Sequence, residues 1–406
     1  MTLADLLDRD GLFADGDWVE SKDQDPEGDV RLIQLADVGD GIYIDKSSRS
    51  LTSAKARELK CTFLKEGDIL VARMPDPLGR ACMFPGDYRP CVTVVDVCIV
   101  RPGPSVDRRW LLHAINSPAF RTQIDRHIKG TTRQRISRTN LGTVELTVPP
   151  FPEQRRIADI LDKADAIRRK RKEAIALTED LLRSAFLEMF GDPVTNPKKW
   201  PPVPLAKLAR VVTGNTPSRA VPVYFGDDIE WIKSDNINTP SHYVTRATEG
   251  LSATGKEIGR TAPSGSTLMT CIAGSPNCIG NVALADREVA FNQQINAMTP
   301  YEGVDYRFLY VMLLVGKSLV QAASTNSMKG MVSKGKLEQV QFPAPPSQMQ
   351  VKFGEVFDRI VRLSRRQELA EDDSKFLFES LLGHAFRGGS ARPNVIGSPV
   401  TDVAAR

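Results

Sequence analysis

From Glu153 to Phe190 the chain carries neither proline nor glycine. Its apolar residues fall at Ile157, Ile160 and Leu161, Ala164, Ile167, Ile175, Leu181 and Leu182, Ala185 and Met189. Spacings of three and four place them along one face of an α-helix. Uninterrupted, that helix would span about 57 Å at about 1.5 Å per residue. Arg171 and Thr178 occupy seam positions of the stripe, so a long ideal coiled coil is not assured. A second stretch of the same kind runs near Gln348 to Phe386, with Val351, Val356, Phe357, Ile360, Leu363, Leu369, Phe376, Leu377, Leu381, Leu382 and Phe386. The two apolar faces can be buried on each other by antiparallel pairing. The alternatives are that each helix packs on its own globular unit, or on a helix of another subunit.

Ahead of each helix the pattern changes. "GDILVAR" and "VTVVDVCIV" are short, β-branched and bounded by Gly and Pro, as strands are. "RRWLLHAINSPAFRTQI" and "YRFLYVMLLVGKSLVQAA" return to helical spacing. Prolines mark the joints: Pro149, Pro150 and Pro152, then Pro343, Pro345 and Pro346. Gly191 can close the first long helix and Pro193 forbids its continuation.

The chain is in fact written twice. "DVRLIQLADV" at Asp29 answers "DIEWIKSDNI" at Asp228, and "LKEGDILVAR" at Leu64 answers "APSGSTLMTC" at Ala262, with Gly67 matching Gly265. "VDRRWLL" at Val106 answers "VDYRFLY" at Val304, "RQRISRTNL" at Arg133 answers "KGMVSKGKL" at Lys329, and "LLRSAF" at Leu181 answers "LLGHAF" at Leu381. The expected fold is α+β (mixed α/β): two tandem globular domains, 1–150 and 193–344, separated by two long helices, 151–192 and 345–388. The helices pair as an antiparallel coiled coil in a pseudo-two-fold internal repeat, and the tail 389–406 is expected to be disordered.

Composition narrows the function. The chain has 406 residues, 41% hydrophobic and 26% charged, with no apolar run near the roughly 20 residues a membrane span needs. Its acidic N-terminal stretch does not read as a signal peptide. Six cysteines without a CxxC pair, beside four histidines, point to reduced, buried thiols and away from a disulfide framework or metal site. A cytoplasmic protein is expected. The net charge of +4 is too small for a protein that coats nucleic acid, but it is unevenly placed. Residues 1–29 are acidic, whereas "RTQIDRHIKGTTRQRISR" from Arg121 to Arg138 sets six basic residues against Asp125. A local basic patch on a nearly neutral protein suits a partner bound at a defined place.

Two variable α/β domains alternate with two long helices, the first opening "PPFPEQRRI" and the second closing "LLGHAFRG". "VVTGNTPSR" opens the second domain at Val211. This layout, over Asp29 to Gly388, resembles the DNA-specificity (S) subunit of type I restriction–modification enzymes. The resemblance implies that each globular domain is a target-recognition domain reading one half of a split site on double-stranded DNA. It also implies that the helices act as spacer and docking surface for two methyltransferase subunits. Those partners, not this chain, would bind S-adenosylmethionine, and restriction/translocase subunits could join. By this resemblance docking falls to Glu153, Gln154 and Ile157 in the first helix, and to Gln348 and Val351 in the second, where Ser347-Gln348 stands for Glu153-Gln154. An asymmetric site is expected because the two domains differ in sequence. A helix pair of this length can hold two readers about 34 Å, one turn of B-DNA, apart.

Phosphate contacts fix register and base contacts specify. In the first domain Lys129, Arg133, Arg135 and Arg138 are candidates for phosphate or a guanine edge, and Gln134 and Asn140 for adenine. In the second, Lys329, Lys334 and Lys336 correspond, with Thr213, Asn215, Thr216, Ser218 and Arg219 in a polar, turn-prone loop. For each of these the plain alternative is an ordinary surface residue. "GMVSKGKL" at Gly330 nearly matches a phosphate-binding loop, but Leu337 stands where a Mg²⁺-binding hydroxyl belongs. No nucleophile stands beside a histidine, so no catalytic residues are assigned. The competing readings are a self-contained nuclease with an unfamiliar site and a helical adaptor that does not read DNA.

Overall fold

The structure, a computed structural model, describes residues 1–7, 11–127, 134–325 and 330–386. The tail 389–406 lies outside them. The chain divides into two compact units: Met1–Arg171 together with 370–386, and Lys172–Leu369.

In the first unit an antiparallel sheet runs in the order Leu12–Asp15, Val97–Arg101, Ile69–Ala72, Ala81–Met83. Ile69–Ala72 is apolar and buried at every position, as a short continuous apolar run covered on both faces should be. A smaller sheet centres on Val30–Ile33, antiparallel to Ser50–Leu51 and parallel to Cys91–Thr93. Short helices Arg108–Ile115, Pro118–Asp125 and Arg138–Gly142 begin at Asp107, Ser117 and Ser137, whose side chains accept the first free backbone N–H groups. Trp110, Leu111, Ile115, Phe120, Ile124 and Leu141 make the core with Ala158 of the first long helix.

The second unit repeats this plan. Its antiparallel sheet runs Ala209–Thr213, Ile295–Pro300, Thr267–Thr270, Val282–Leu284. Its other sheet pairs Phe225–Ile232 in parallel with Val289–Phe291. Gly67 and Gly265 both take positive φ, 83° and 84°, at the turn into the central strand, where a side chain would be strained. Helices Tyr306–Val315 and Lys334–Gln339 are capped by Asp305 and Ser333, as their counterparts are. Phe186, Phe190, Phe308 and Phe353 pack with ring centroids 4.9–5.9 Å apart, pairs worth about 0.5–1.5 kcal/mol each beyond burial.

The long helices, Phe151–Phe190 and Ser347–Phe386, have 40 residues each and pair antiparallel within each unit. In the first, Arg168 lies 5.2 Å over the Phe378 ring and Phe386 packs on the core beside Ile157. In the second, Phe190 meets Phe353 at 5.5 Å. The polar seam residues are satisfied: Arg171 donates to the Ala370 carbonyl, and buried Thr178 donates to Ala174 O and Gln367 Oε1. All six cysteines are free, and burial pushes the Cys98 and Cys271 thiols up to about 12, which keeps them protonated and unreactive. Among the described residues no helix is long and apolar enough to cross a membrane, and no group of His, Cys, Asp and Glu is placed to hold a metal ion.

Candidate nucleic-acid interface

The described end of the basic stretch, 134–138, lies against one end of the first unit's main sheet. Arg73, at the end of the central strand, is buried and donates to the carbonyls of Ile136 (3.0 Å) and Val95 (3.0 Å) while pairing with Asp15. It thereby ties three chain segments together. Around it Arg138 pairs with Asp15 at 3.2 Å and donates to Phe13 O at 2.8 Å, and Arg135 pairs with Asp96 at 3.2 Å. Arg135, Arg138, Asp15 and Asp96 are all partly open to solvent. Beside Asp96 a groove of 510 Å³ is lined by Asp17, Val94 and Trp18, whose indole is 66% exposed. Burial pushes the Asp17 carboxyl up to about 6, against the hydrogen bonds of Thr62 and Cys61.

Gln134 and Asn140 flank this network, Gln134 exposed and Asn140 partly buried in the short helix. Lys129, Arg133 and Lys329 lie outside the described residues. Asp15, Arg73 and Asp96 escaped the sequence reading because their partners lie 58, 63 and 39 residues away, by number. An acidic residue three before Trp18 carries no local signal of a paired arginine.

The second unit places "TGNTPSR" at the same end of its sheet, and most of that loop is pinned. Asn215 donates to Ile258 O (3.0 Å) and accepts from Arg260 N (2.8 Å), so its amide serves the loop itself. Thr213 O accepts from Arg260 and Thr216 donates to Gln293. Arg219 pairs with Glu249 at 2.7 Å and lies 5.5 Å over the Trp231 ring; Lys233 pairs with the same carboxylate at 3.0 Å and lies 5.4 Å over the same ring. The two cations hold Glu249 below the usual carboxylate range. Trp231, Lys233 and Glu249 were not among the candidates for DNA contact, although an aromatic residue near the end of a strand with a basic one just past it was a usable signal. Ser218 and Lys336 are exposed, and Lys334 is 3.6 Å from Glu338. "GMVSKGKL" splits into a two-residue strand, Gly330–Met331, and a short capped helix.

The expected docking residues divide. Glu153 is bidentate with Arg156, which lowers its pKa, and Ile157 packs on the core of its own unit. Gln348 is exposed and Val351 is 47% exposed. Gln154, however, is 2% exposed. Its Oε1 accepts from Asp107 N (2.8 Å) and its Nε2 donates to Pro149 O (2.9 Å), so it has no free surface for a partner. Its counterpart is Gln350 rather than Gln348. Gln350 accepts from Asp305 N (3.1 Å) and donates to Pro345 O (2.8 Å). The Pro149-Pro150 and Pro345-Pro346 pairs set the register, and each is followed four residues on by the clasping glutamine. The clasp is completed by arginines: Arg109 to Asp162 (3.0 Å), and Arg307 to Asp358 (2.5 Å). Burial would raise Asp162, but His113 and Arg109 hold it below its usual value.

A family model described as the type I restriction modification DNA specificity domain matches residues 12–177 and again 197–371. The chain is similar to the type I restriction enzyme HindI specificity subunit of Haemophilus influenzae, 30% identical over 141 residues, 34% of this chain and 28% of that protein. It is similar to the MjaIX specificity subunit of Methanocaldococcus jannaschii, 28% identical over 197 residues, 45% of this chain and 44% of that one. The matched stretch thus spans less than half the length of either curated relative. In fold it is similar to the type I S subunit from M. genitalium, with a TM-score of 0.57 over 96% of each chain at 14% identity. A chain from a study of assembly and conformational transition in a type I R-M system gives 0.56 over 94% and 99% at 18% identity. Two successive family domains on one repeated fold settle the relationship: the chain belongs to the type I restriction–modification DNA specificity family.

Proposed function

We propose that this chain is the sequence-reading subunit of a type I restriction–modification complex, active in the cytoplasm and without chemistry of its own. Each unit reads one half of a split, asymmetric site on double-stranded DNA, and the long helices set the spacing and carry two methyltransferase subunits. Those partners bind S-adenosylmethionine and methylate adenine, and a restriction/translocase subunit joins for cleavage. The observation that most supports this is the repetition of one DNA-specificity fold with two differently charged reading ends. The helices also expose large apolar side chains, Phe376 at 75% and Leu377 at 54% in the first unit, Leu177 at 61% and Leu369 at 62% in the second. Exposed apolar side chains of this size on helices suit a protein partner.

The test is an adenine-methylation map of cellular DNA with the gene present and deleted. A split motif that disappears on deletion is the expected result. Unchanged methylation in an actively methylating cell would overturn the reading in favour of an adaptor.

A further inference from the structure

The two units can be compared position by position, because their backbone contacts repeat. Ile136 N donates to Arg73 O in the first unit as Val332 N donates to Cys271 O in the second. Ser137 and Ser333 cap the following helices in the same way. This register equates Arg73 with Cys271, Arg135 with Met331 and Arg138 with Lys334, and the paired strands equate Asp15 with Thr213 and Asp96 with Gln294. One unit therefore carries three arginines and two carboxylates where the other carries a thiol, a thioether, a hydroxyl, an amide and one lysine. Met331 is 40% exposed, Thr216 bonds Gln293 and Asn292 bonds Gln294, and the cation that reaches Thr213, Arg260, is held by its backbone carbonyl and not by a carboxylate.

Resting on the proposed role as DNA reader, we propose that Asp96 and Asp15 are positioning residues that hold Arg135 and Arg138 toward the half-site read by the first unit, while the second unit meets its half-site at the equivalent positions largely without charge. A guanidinium free on a surface samples many rotamers, and ordering it on DNA costs entropy. One already held by a carboxylate on its flank keeps further N–H donors for a phosphate oxygen or a guanine edge, both hydrogen-bond acceptors. Arg73 contributes by fixing the backbone at Ile136, between Arg135 and the helix that begins at Arg138, and Cys271 stands at its position in the second unit.

The test uses the full chain assembled with its methyltransferase subunits and a pool of random-sequence duplexes. Enrichment of a split motif by the unaltered complex checks the reading role itself, and no enrichment would overturn that role as a whole. The enriched duplex then serves as probe. Arg135→Gln and Arg138→Gln should each weaken binding about tenfold and reduce the slope of log affinity against log salt by about 1. An unchanged motif would assign the contact to phosphate; relaxation confined to one half would assign it to guanine. If neither slope nor motif moves, the arginines are ordinary surface pairs and the proposal fails. Asp96→Asn discriminates most sharply. Removing a negative charge from a DNA-facing surface should strengthen binding if only net charge matters, whereas a positioning role predicts a loss of about threefold with an unchanged melting temperature and recovery in Asp96→Glu. A gain in affinity would overturn that role. Met331→Arg should steepen the salt slope, and no change there would break the equivalence of the two reading ends.

Discussion

At the scale of single residues the two units keep an ion pair and reverse its sign. Arg31 binds Asp87 at 2.9 Å in the first; in the second Glu230, at the strand position matching Arg31, binds Arg287 of the turn that leads into the parallel strand. The first pair is well buried, with side chains 12% and 6% exposed. Removing one partner of a buried pair costs about 3–5 kcal/mol because the other charge is left uncompensated. Arg31→Glu should therefore lower stability by about that much in urea melts. Arg31→Glu with Asp87→Arg should recover at least half of it, since the fold tolerates the reversed pair one repeat later. A double variant no more stable than the single would show that the first unit does not accept the reversed pair. Asp17 gives a second residue-scale test. Its folded pKa of about 6 lies above the ordinary aspartate value of about 3.9, so the folded state binds the proton more tightly than the unfolded one. Stability then falls as pH rises from about 4 to about 6 and stays low above that. Asp17→Asn can still accept from Thr62 N, so it should stabilise by on the order of 2 kcal/mol at pH 7.5 and by nothing near pH 4. Thermal melts at the two pH values check it, and an equal gain at both would be inconsistent with titration.

At the scale of elements the binding of each long helix to its own globular layer rests on a repeated clasp. An aspartate caps a short helix, a buried glutamine near the start of the long helix takes the cap's N–H, and an arginine reaches a carboxylate farther along. Arg307 lies so close to the second long helix that a Cβ on Gly354 would meet its guanidinium at 2.4 Å, which explains a glycine in mid-helix despite a cost of about 1 kcal/mol. Gln350→Ala should leave Asp305 N and Pro345 O without partners, and buried unsatisfied groups cost about 1–3 kcal/mol each. Chemical denaturation should show a loss of that size for Gln350→Ala and for Gln154→Ala, with Gln348→Ala within about 0.5 kcal/mol of the parent because it is exposed. Equal effects at 348 and 350 would contradict the clasp. The sequence disclosed the helices almost to the residue, because apolar periodicity over many turns is a redundant signal. The clasp was hidden, because a lone glutamine on a helix has the same local appearance exposed or buried. The nearer glutamine, Gln348, was the wrong one for that reason.

At the scale of the whole molecule the internal repeat was legible wherever packing constrains the chain: the caps, the turn glycines and the core strands recur in order. The reading ends were legible only as clusters. Arg135 and Arg138 could be named from the basic run, but their carboxylate partners sit on other strands, and the second unit's Trp231 with Arg219, Lys233 and Glu249 comes together only through strand pairing. The same view yields a test of how the chain is divided. The second unit is one continuous segment, Lys172–Leu369, whereas the first is assembled from Met1–Arg171 and the stretch after Leu369. That stretch places Phe386 6.1 Å from Trp110 and Phe378 6.2 Å from His113. A fragment 172–369 should therefore melt cooperatively alone, while a fragment 1–171 should be markedly weaker, with Trp110 and His113 deprived of the rings that pack on them. Because Arg171 reaches the Ala370 carbonyl, a short Gly/Ser linker from residue 171 to residue 370 would close a helical hairpin without stretching. Linking 370–386 in this way should restore a single cooperative transition and raise the melting temperature by about 10 °C or more, as expected for several kcal/mol in a domain of this size. If 1–171 alone melts as sharply and as high as the linked chain, the second helix covers the first unit without holding it together. The clasp at Gln154 would then be sufficient by itself to dock the first helix.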